Sequence, residues 1–153
     1  KQLNDNLMMF FTGFTRFSSE IQQSSKSMED KTAQLLQMLA IVDEAEKVLE
    51  DKTSDLDDFG RLLDKSWRLK KQTGNKVSTG GIDELYEKAM AAGALGGKLL
   101  GAGGGGFLLF YVPQDKQKAV LEAMSSLMHV PFEFENGGTR VIHYSPETYI
   151  PQK

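Results

Sequence analysis

Cysteine is absent from the 153 residues, which excludes disulfides and thiolate metal sites and fits a reducing, cytoplasmic setting. Histidine is scarce, and His129 and His143 have no metal-ligand spacing between them, so no metal centre is expected. No apolar run approaches the ~18 residues of a membrane span, and the opening residues do not read as a signal peptide; no membrane partner is expected. A basic excess is missing as well. Lys and Arg number 18 against 21 Asp and Glu, a net charge of −3, so the chain lacks the electrostatic footprint of a nucleic-acid binder. What is there is ordinary in bulk. Hydrophobic residues make up 40% and charged residues 25%, the proportions of a soluble globular protein, and the length suits one domain with a core of normal size.

Glycine is the exception. Eight of the fifteen glycines lie between Gly93 and Gly106, a density that costs backbone entropy unless it serves positive φ or close approach. The run is entered through Lys98-Leu99-Leu100 and left through six apolar residues, Phe107 to Val112, so its flanks read as strands and not as the polar margins of a flexible linker. Gly101, Gly103 and Gly106 match G-x-G-x-x-G, but a dinucleotide fingerprint needs a helix after the loop, and here a strand follows. A Walker loop needs its Lys after the glycines, whereas Lys98 precedes them. What remains is a glycine arch between neighbouring strands. Its successive N–H groups can cradle an anion, or the arch can simply clear space for a neighbouring surface.

Gly96-Gly97-Lys98-Leu99-Leu100-Gly101-Ala102-Gly103-Gly104-Gly105-Gly106 resembles the third motif of the GHMP kinases (galactokinase, homoserine kinase, mevalonate kinase, phosphomevalonate kinase), which lies in their carboxy-terminal domain. The similarity extends over most of the chain. Asn6-Leu7-Met8-Met9-Phe10-Phe11-Thr12-Gly13-Phe14-Thr15-Arg16, together with Phe132-Glu133-Phe134 and Gly138-Thr139-Arg140-Val141, is most similar to the branch that phosphorylates D-glycero-D-manno-heptose 7-phosphate, with fucokinase-type enzymes nearby. The resemblance implies that ATP-Mg²⁺ donates its γ-phosphoryl group to a hydroxyl of a sugar or sugar phosphate, a transfer that depends on positioning and electrostatics. It places Gly101, Gly103, Gly104, Gly105 and Gly106 beside the ATP phosphates, and Thr12, Gly13, Arg16 and Lys98 toward the substrate. For Lys98 the alternative is a carboxylate partner. For Arg16 it is a solvated surface charge, against bidentate recognition of the phosphate already on the substrate.

No catalytic residue is expected on this chain, because the family's catalytic Asp, the Lys that helps it and the main ATP loop belong to the amino-terminal domain. Residue 1 is Lys, not Met, and a fragment is expected: one domain over 1–153 that packs against a missing amino-terminal domain and is inactive alone. Two other functions stay open. One is a non-catalytic ligand-binding or regulatory α+β domain, the other a catalytically dead homologue acting through protein contacts.

The rest of the chain reads as follows. Leu7 to Thr12 is a buried strand. After a Ser27-x-x-Asp30 start, Leu35, Met38, Val42, Ala45 and Leu49, with Leu36, Leu39 and Ile41 widening the stripe, form an amphipathic helix of about five turns. Two heptads are too few for a coiled coil, so core packing is expected. Ser54 to Asp57 repeats the capping signature, and Leu56, Phe59, Leu63, Trp67 and Lys70 share a face of a second helix, with Trp67 as a core anchor. Arg68 to Lys71 suits the negative end of that helix dipole. Ser78 or Thr79 caps a third helix carrying Ile82, Leu85, Tyr86, Ala89 and Ala92, and Gly93 ends it. Beyond the arch, a helix with Val120, Leu121, Met124, Leu127 and Met128 on one side runs to His129, and Val130–Glu135 with Arg140–Tyr144 alternates as a hairpin around Asn136-Gly137-Gly138. The order of elements predicts an α+β fold, one antiparallel sheet with helices packed on one face, and the resemblance implies the same, a ferredoxin-like domain.

Overall fold

The computed structural model describes residues 2–13, 28–73, 80–101 and 105–141, with side chains of the first long helix described from residue 32 onward. A single turn, Gln2–Asp5 (α1), leads into Leu7–Phe11 (β1). Three helices follow, Met28–Glu50 (α2), Asp57–Gln72 (α3) and Gly80–Ala91 (α4). The glycine arch then joins Gly96–Leu100 (β2) to Phe107–Tyr111 (β3), after which come a 3-10 turn at Gln114–Lys116, the helix Gln117–Ala123 (α5) and the short strand Met128–His129 (β4).

The sheet is antiparallel throughout, in the order β2-β3-β1-β4. That is the arrangement of a β-α-β-β-α-β, ferredoxin-like fold. Leu99, Leu108 and Phe10 lie in register across three strands, as do Gly97, Phe110 and Met8. Because side chains alternate along a strand, these residues share one face, and all that carry side chains are at least 95% buried. Ile82, Tyr86 and Ala89 of α4, Val120 of α5, Met124 and Trp67 of α3 complete the core over that face. The helices expected on one side of the sheet are there, and Trp67 is the anchor its position on the stripe suggested.

α3 is set by a different constraint, close approach to the edge strand. A Cβ on Gly96 would overlap the Gly60 carbonyl oxygen and stand 2.6 Å from the Asp64 nitrogen, and one on Gly60 would come 2.7 Å from the Tyr111 ring. Two glycines therefore let a helix lie against β2, shielding an edge that would otherwise present unpaired backbone groups. Where β2 and β3 begin and end, Tyr111 points to the other face and is covered by the first turn of α3. Its hydroxyl donates to Asp57 Oδ1 at 3.0 Å, and Phe59 tilts against its ring with centroids 6.4 Å apart.

Helix ends follow the expected chemistry in part. Gly93 closes α4 through the paired bonds of a Schellman motif, Gly93 N–H to Met90 O and Ala94 N–H to Ala89 O, both 3.1 Å. At the start of α3 the capping acceptor is Asp55, whose Oδ1 takes the Asp57 N–H at 3.0 Å, while Ser54 bonds back to Asp51. Arg68 and Lys71, read as dipole charges, make ion pairs to Asp64 and Asp83.

Three expectations are corrected. The face of α2 that loses surface is Gln34, Met38, Ile41, Ala45 and Val48; Met38, Ile41 and Ala45 belong to the expected stripe, while its other members turn outward, because α2 packs chiefly on α3 and its apolar arc is wider than one helix covers. Leu35, Val42 and Leu49 consequently stay exposed. The helix after β3 stops at Ala123, so His129 is a strand residue, its ring 5.3 Å from that of Phe10. No strand forms over 130–141, where most residues are exposed; a two-stranded ribbon with no core beneath it is marginal. The second half of that hairpin from residue 142, His143, the caps at Ser78 and Thr79, and the Ser27 start lie outside the described residues.

Two predictions follow from this packing. Gly96→Ala should cost about 1–3 kcal/mol, the scale of an overpacked core, read from the urea midpoint, whereas Gly80→Ala, with open space around it, should shift that midpoint little. Burial first, and then the hydrogen bond to Asp64, raise the Tyr86 phenol well above its ordinary value. The unfolded chain therefore releases that proton first. Stability should be intact below about pH 10 and fall above it, by up to about 1.4 kcal/mol per pH unit for each such tyrosine. Tyr86→Phe should start about 1–3 kcal/mol less stable but decline less steeply between pH 9 and 11; parallel slopes for the two proteins would count against this origin.

Candidate functional site

Thr12, Gly13, Gly101, Gly105 and Gly106 lie at one end of the sheet. β1, β2 and β3 bring Phe11, Leu100 and Phe107 into one register row; beyond it lie the Thr12-Gly13 exit and the two feet of the arch. The arch joins neighbouring antiparallel strands and feeds no helix. Gly101 at one foot has φ +85° and Gly106 at the other φ +103°, values that side chains disfavour by roughly 1–2 kcal/mol. Space is not the issue, since a Cβ at Gly101 meets nothing within 4 Å and one at Gly106 only the Leu100 carbonyl oxygen at 3.6 Å. The glycines are there for backbone direction, and they leave the flank of the loop open.

Thr12 ties the strand exit to the arch. Its backbone N–H and its hydroxyl both donate to the Gly106 carbonyl oxygen, each at 2.9 Å, and the residue is 93% buried. Gly13 follows with φ +72° and turns the chain away. Thr12 and Gly106 are thus fastened together, Gly13 follows on the chain, and Gly105 beside Gly106 is half-buried. Arg16, Gly103 and Gly104 lie outside the described residues.

Lys98 stands on the face opposite the core. It is exposed while its neighbours Gly97 and Leu99 are buried, and it lies in register with Leu109 and Met9. Around it that face is apolar: Met9, Phe11, Leu100 and Leu109 are half-buried and Phe107 is 37% exposed. Lys98 makes no ion pair with any described residue, so the carboxylate partner considered for it is not found there. An ammonium on an apolar wall, about two residues from a loop of backbone N–H groups, suits a ligand carrying negative charge, because low polarity strengthens charge attraction. No local pattern points to the neighbouring ring pair, Phe11 and Phe107, whose centroids are 5.2 Å apart; the β1–β3 register brings them together.

The described residues hold no group of three or more His, Cys, Asp or Glu able to bind a metal, and none of their helices is long and apolar enough to cross a membrane. At the two described feet of the arch, Gly101 and Gly106 carry no side chain to block an approaching group.

Comparison with known proteins agrees with this geometry. The family model described as the C terminal of GHMP kinases matches residues 41–130. The D-glycero-alpha-D-manno-heptose 7-phosphate kinase of Campylobacter jejuni is 32% identical over 124 residues, 80% of this chain and 37% of that protein. A mevalonate kinase of Thermococcus gammatolerans is 28% identical over 150 residues, 92% of this chain and 44% of that protein. The crystal structure of Methanococcus jannaschii mevalonate kinase superposes with a TM-score of 0.68 at 25% identity, over 84% of this chain and 40% of that one. The chain therefore spans less than half the length of the relatives it matches. With more than half of its residues under the family model and the glycine arch in place between two strands, the chain belongs to the GHMP kinases and carries their C-terminal fold.

Proposed function

We propose that this chain forms one wall of the active-site cleft of an ATP-dependent small-molecule kinase, the other wall being an amino-terminal domain outside this sequence. The observation that carries the reading is the position of Lys98, an exposed cation without an ion pair among the described residues, on an apolar sheet face beside the arch. In this reading the backbone N–H groups of Gly101, Gly103, Gly104, Gly105 and Gly106 face the ATP phosphates, while Thr12, Gly13, Arg16 and Lys98 form the acceptor side. ATP supplies the γ-phosphoryl group. Mg²⁺ would be held mainly by the amino-terminal domain. This chain's residues bind and orient; none of them is assigned as acid, base or nucleophile, and the chain alone should be inactive.

The acceptor is a sugar phosphate, D-glycero-D-manno-heptose 7-phosphate, with Lys98 and Arg16 recognising the phosphate it already carries. Support comes from the 32% identity to the Campylobacter jejuni enzyme. A second reading is favoured by the apolar wall around Lys98 and by the likeness to mevalonate kinases: an aliphatic acid such as mevalonate, its carboxylate taking the place of the phosphate.

Turnover of ATP by the full-length protein, measured with heptose 7-phosphate, other sugars and sugar phosphates, and mevalonate, separates these readings. Consumption with none of them would sink the kinase assignment. Lys98→Ala should raise KM for the phosphorylated acceptor tenfold or more, the loss of one charge-assisted hydrogen bond of about 1.5–3 kcal/mol, with kcat nearly unchanged. A pure kcat effect would contradict its acceptor-side role. Gly106→Ala should strain the arch by about 1–2 kcal/mol and raise KM for ATP more than for the acceptor, with the circular dichroism spectrum unchanged.

A further inference from the structure

Asparagine is followed by glycine once in this chain, at Asn136-Gly137; the other three, Asn4, Asn6 and Asn75, precede Asp, Leu and Lys. Glycine has no Cβ, so its nitrogen can swing toward the side chain of the residue before it at little steric cost. The surroundings leave that bond free to move. From Glu133 to Val141 every residue is exposed, and among the described residues no bond between main-chain groups involves 131–141. The segment is anchored just before that point, where the Val130 N–H donates to Met9 O at 2.8 Å and the Phe134 N–H to Asn4 Oδ1 at 3.0 Å. These contacts carry it from β4 to the end of the sheet away from the arch.

One side chain faces the bond. Glu135 Oε1 accepts the Gly137 N–H at 2.7 Å, and Arg140 holds the other oxygen of the same carboxylate at 2.6 Å. A general base must lie within about 2.6–3.2 Å of the atom whose proton it takes, and Glu135 does. Only glycine permits the approach, since a Cβ at 137 would stand 2.9 Å from that Oε1. Gly138, at φ +63°, bends the chain between Glu135 and Arg140.

We propose that Asn136-Gly137 is a self-modifying site, at which the asparagine loses its side-chain amide without an enzyme and Glu135 serves as the base. Glu135 takes the Gly137 amide proton as the nitrogen attacks Asn136 Cγ. The N–Cγ bond forms, the Cγ–Nδ2 bond breaks, and Nδ2 leaves as ammonia with the proton that Glu135 passes on. A cyclic imide remains. Water then adds to either of its carbonyls: opening at Cγ gives aspartate at this position, and opening at the main-chain carbonyl gives isoaspartate, whose chain runs through the former side chain and is longer by a methylene. No oxidant, reductant or cofactor is consumed. Either product puts a further negative charge beside Glu135 in a chain already at −3, where it competes for Arg140 and loosens the bend.

Two controls lie in the same molecule. Asn4 Oδ1 accepts the Phe134 N–H, and Asn6 Nδ2 donates to Gln2 O at 3.1 Å and to the Tyr111 hydroxyl at 3.3 Å, so both amides are held. The full chain, kept in neutral buffer and sampled over days, should develop a more acidic form in isoelectric focusing. Mass spectrometry of digests should confine the change to the peptide bearing Asn136, and in heavy-oxygen water that peptide should take up the label and elute as two isomers. Glu135→Gln should slow the change about tenfold, short of the hundredfold and more that a positioned general base gives in an enzyme. Gly137→Ala should slow it further. Glu133→Gln removes an exposed carboxylate of the same segment that makes no described bond to Gly137, and it should leave the rate unaltered. These positions are exposed, so the circular dichroism spectrum should not change in any variant. An Asn136 that stays intact as long as Asn4 and Asn6, an unchanged rate in Glu135→Gln, or an equal slowing by Glu133→Gln would overturn the proposal.

Discussion

A single phenolic oxygen holds the site wall in place. The Tyr86 hydroxyl of α4 donates to Asp64 Oδ1 of α3 at 2.8 Å and accepts the Gly97 N–H of β2 at 3.1 Å, while Arg68 binds the second oxygen of the same carboxylate at 2.8 Å. Two helices and the edge strand thus meet at one group. The Gly97 N–H is buried, and a buried donor without a partner costs about 1–3 kcal/mol, so the contact selects one placement of β2 over its neighbours. That placement matters because β2 carries Lys98 on its next residue and the arch three residues later. Alternation along the strand does the rest: with Gly97 turned to the core, Lys98 must face the open side.

The same economy explains the small residues around β2. Gly60 and Gly96 bring α3 and β2 into backbone contact, and Ala89 and Ala94 are almost wholly buried beneath them. The strand before the arch is therefore braced by backbone and by one tyrosine, with little reliance on long side chains that could swing into the site. Across β3, the Thr12 hydroxyl and N–H fasten the end of β1 to Gly106, so the arch is fixed at its far foot by a different strand from the one that enters it.

Much of this was legible in the sequence, for identifiable reasons. The arch could be placed between strands because Phe107 to Val112 is apolar without interruption, and Phe107–Tyr111 is the strand β3, although burial on both faces does not follow, since Phe107 is exposed and Leu109 half-buried on the face away from the core. The Schellman glycine at Gly93 and the core role of Trp67 follow from local chemistry. What was hidden depends on partners distant in sequence. Only part of the α2 stripe turns inward because a single neighbouring helix, not a closed core, decides which arc is covered. The Phe11–Phe107 pair exists only through register. The 130–141 segment alternates like a strand, yet alternation states a preference and supplies no surface to pack on. Of the nine residues singled out for ligands, Thr12, Gly13, Gly101, Gly105 and Gly106 are brought to one end and Lys98 to the adjoining face.

The division of labour in such a wall has a physical logic. Backbone N–H groups cannot be titrated away and carry no side-chain entropy, so donors supplied by glycine stay available at any pH where the fold survives. Lysine is the opposite, a mobile point charge on a flexible stem. Placing one lysine on an apolar face keeps it from being neutralised internally, and it makes the attraction to an anion depend on how much water remains. On the proposed reading, a second surface over Met9, Phe11, Leu100 and Leu109 would exclude water from the face, and the lower polarity would make the same charge act more strongly and with less screening. On that same reading, half-buried apolar residues beside a lysine that has no ion pair among the described residues are the surface an open half-cleft presents before its other wall is in place.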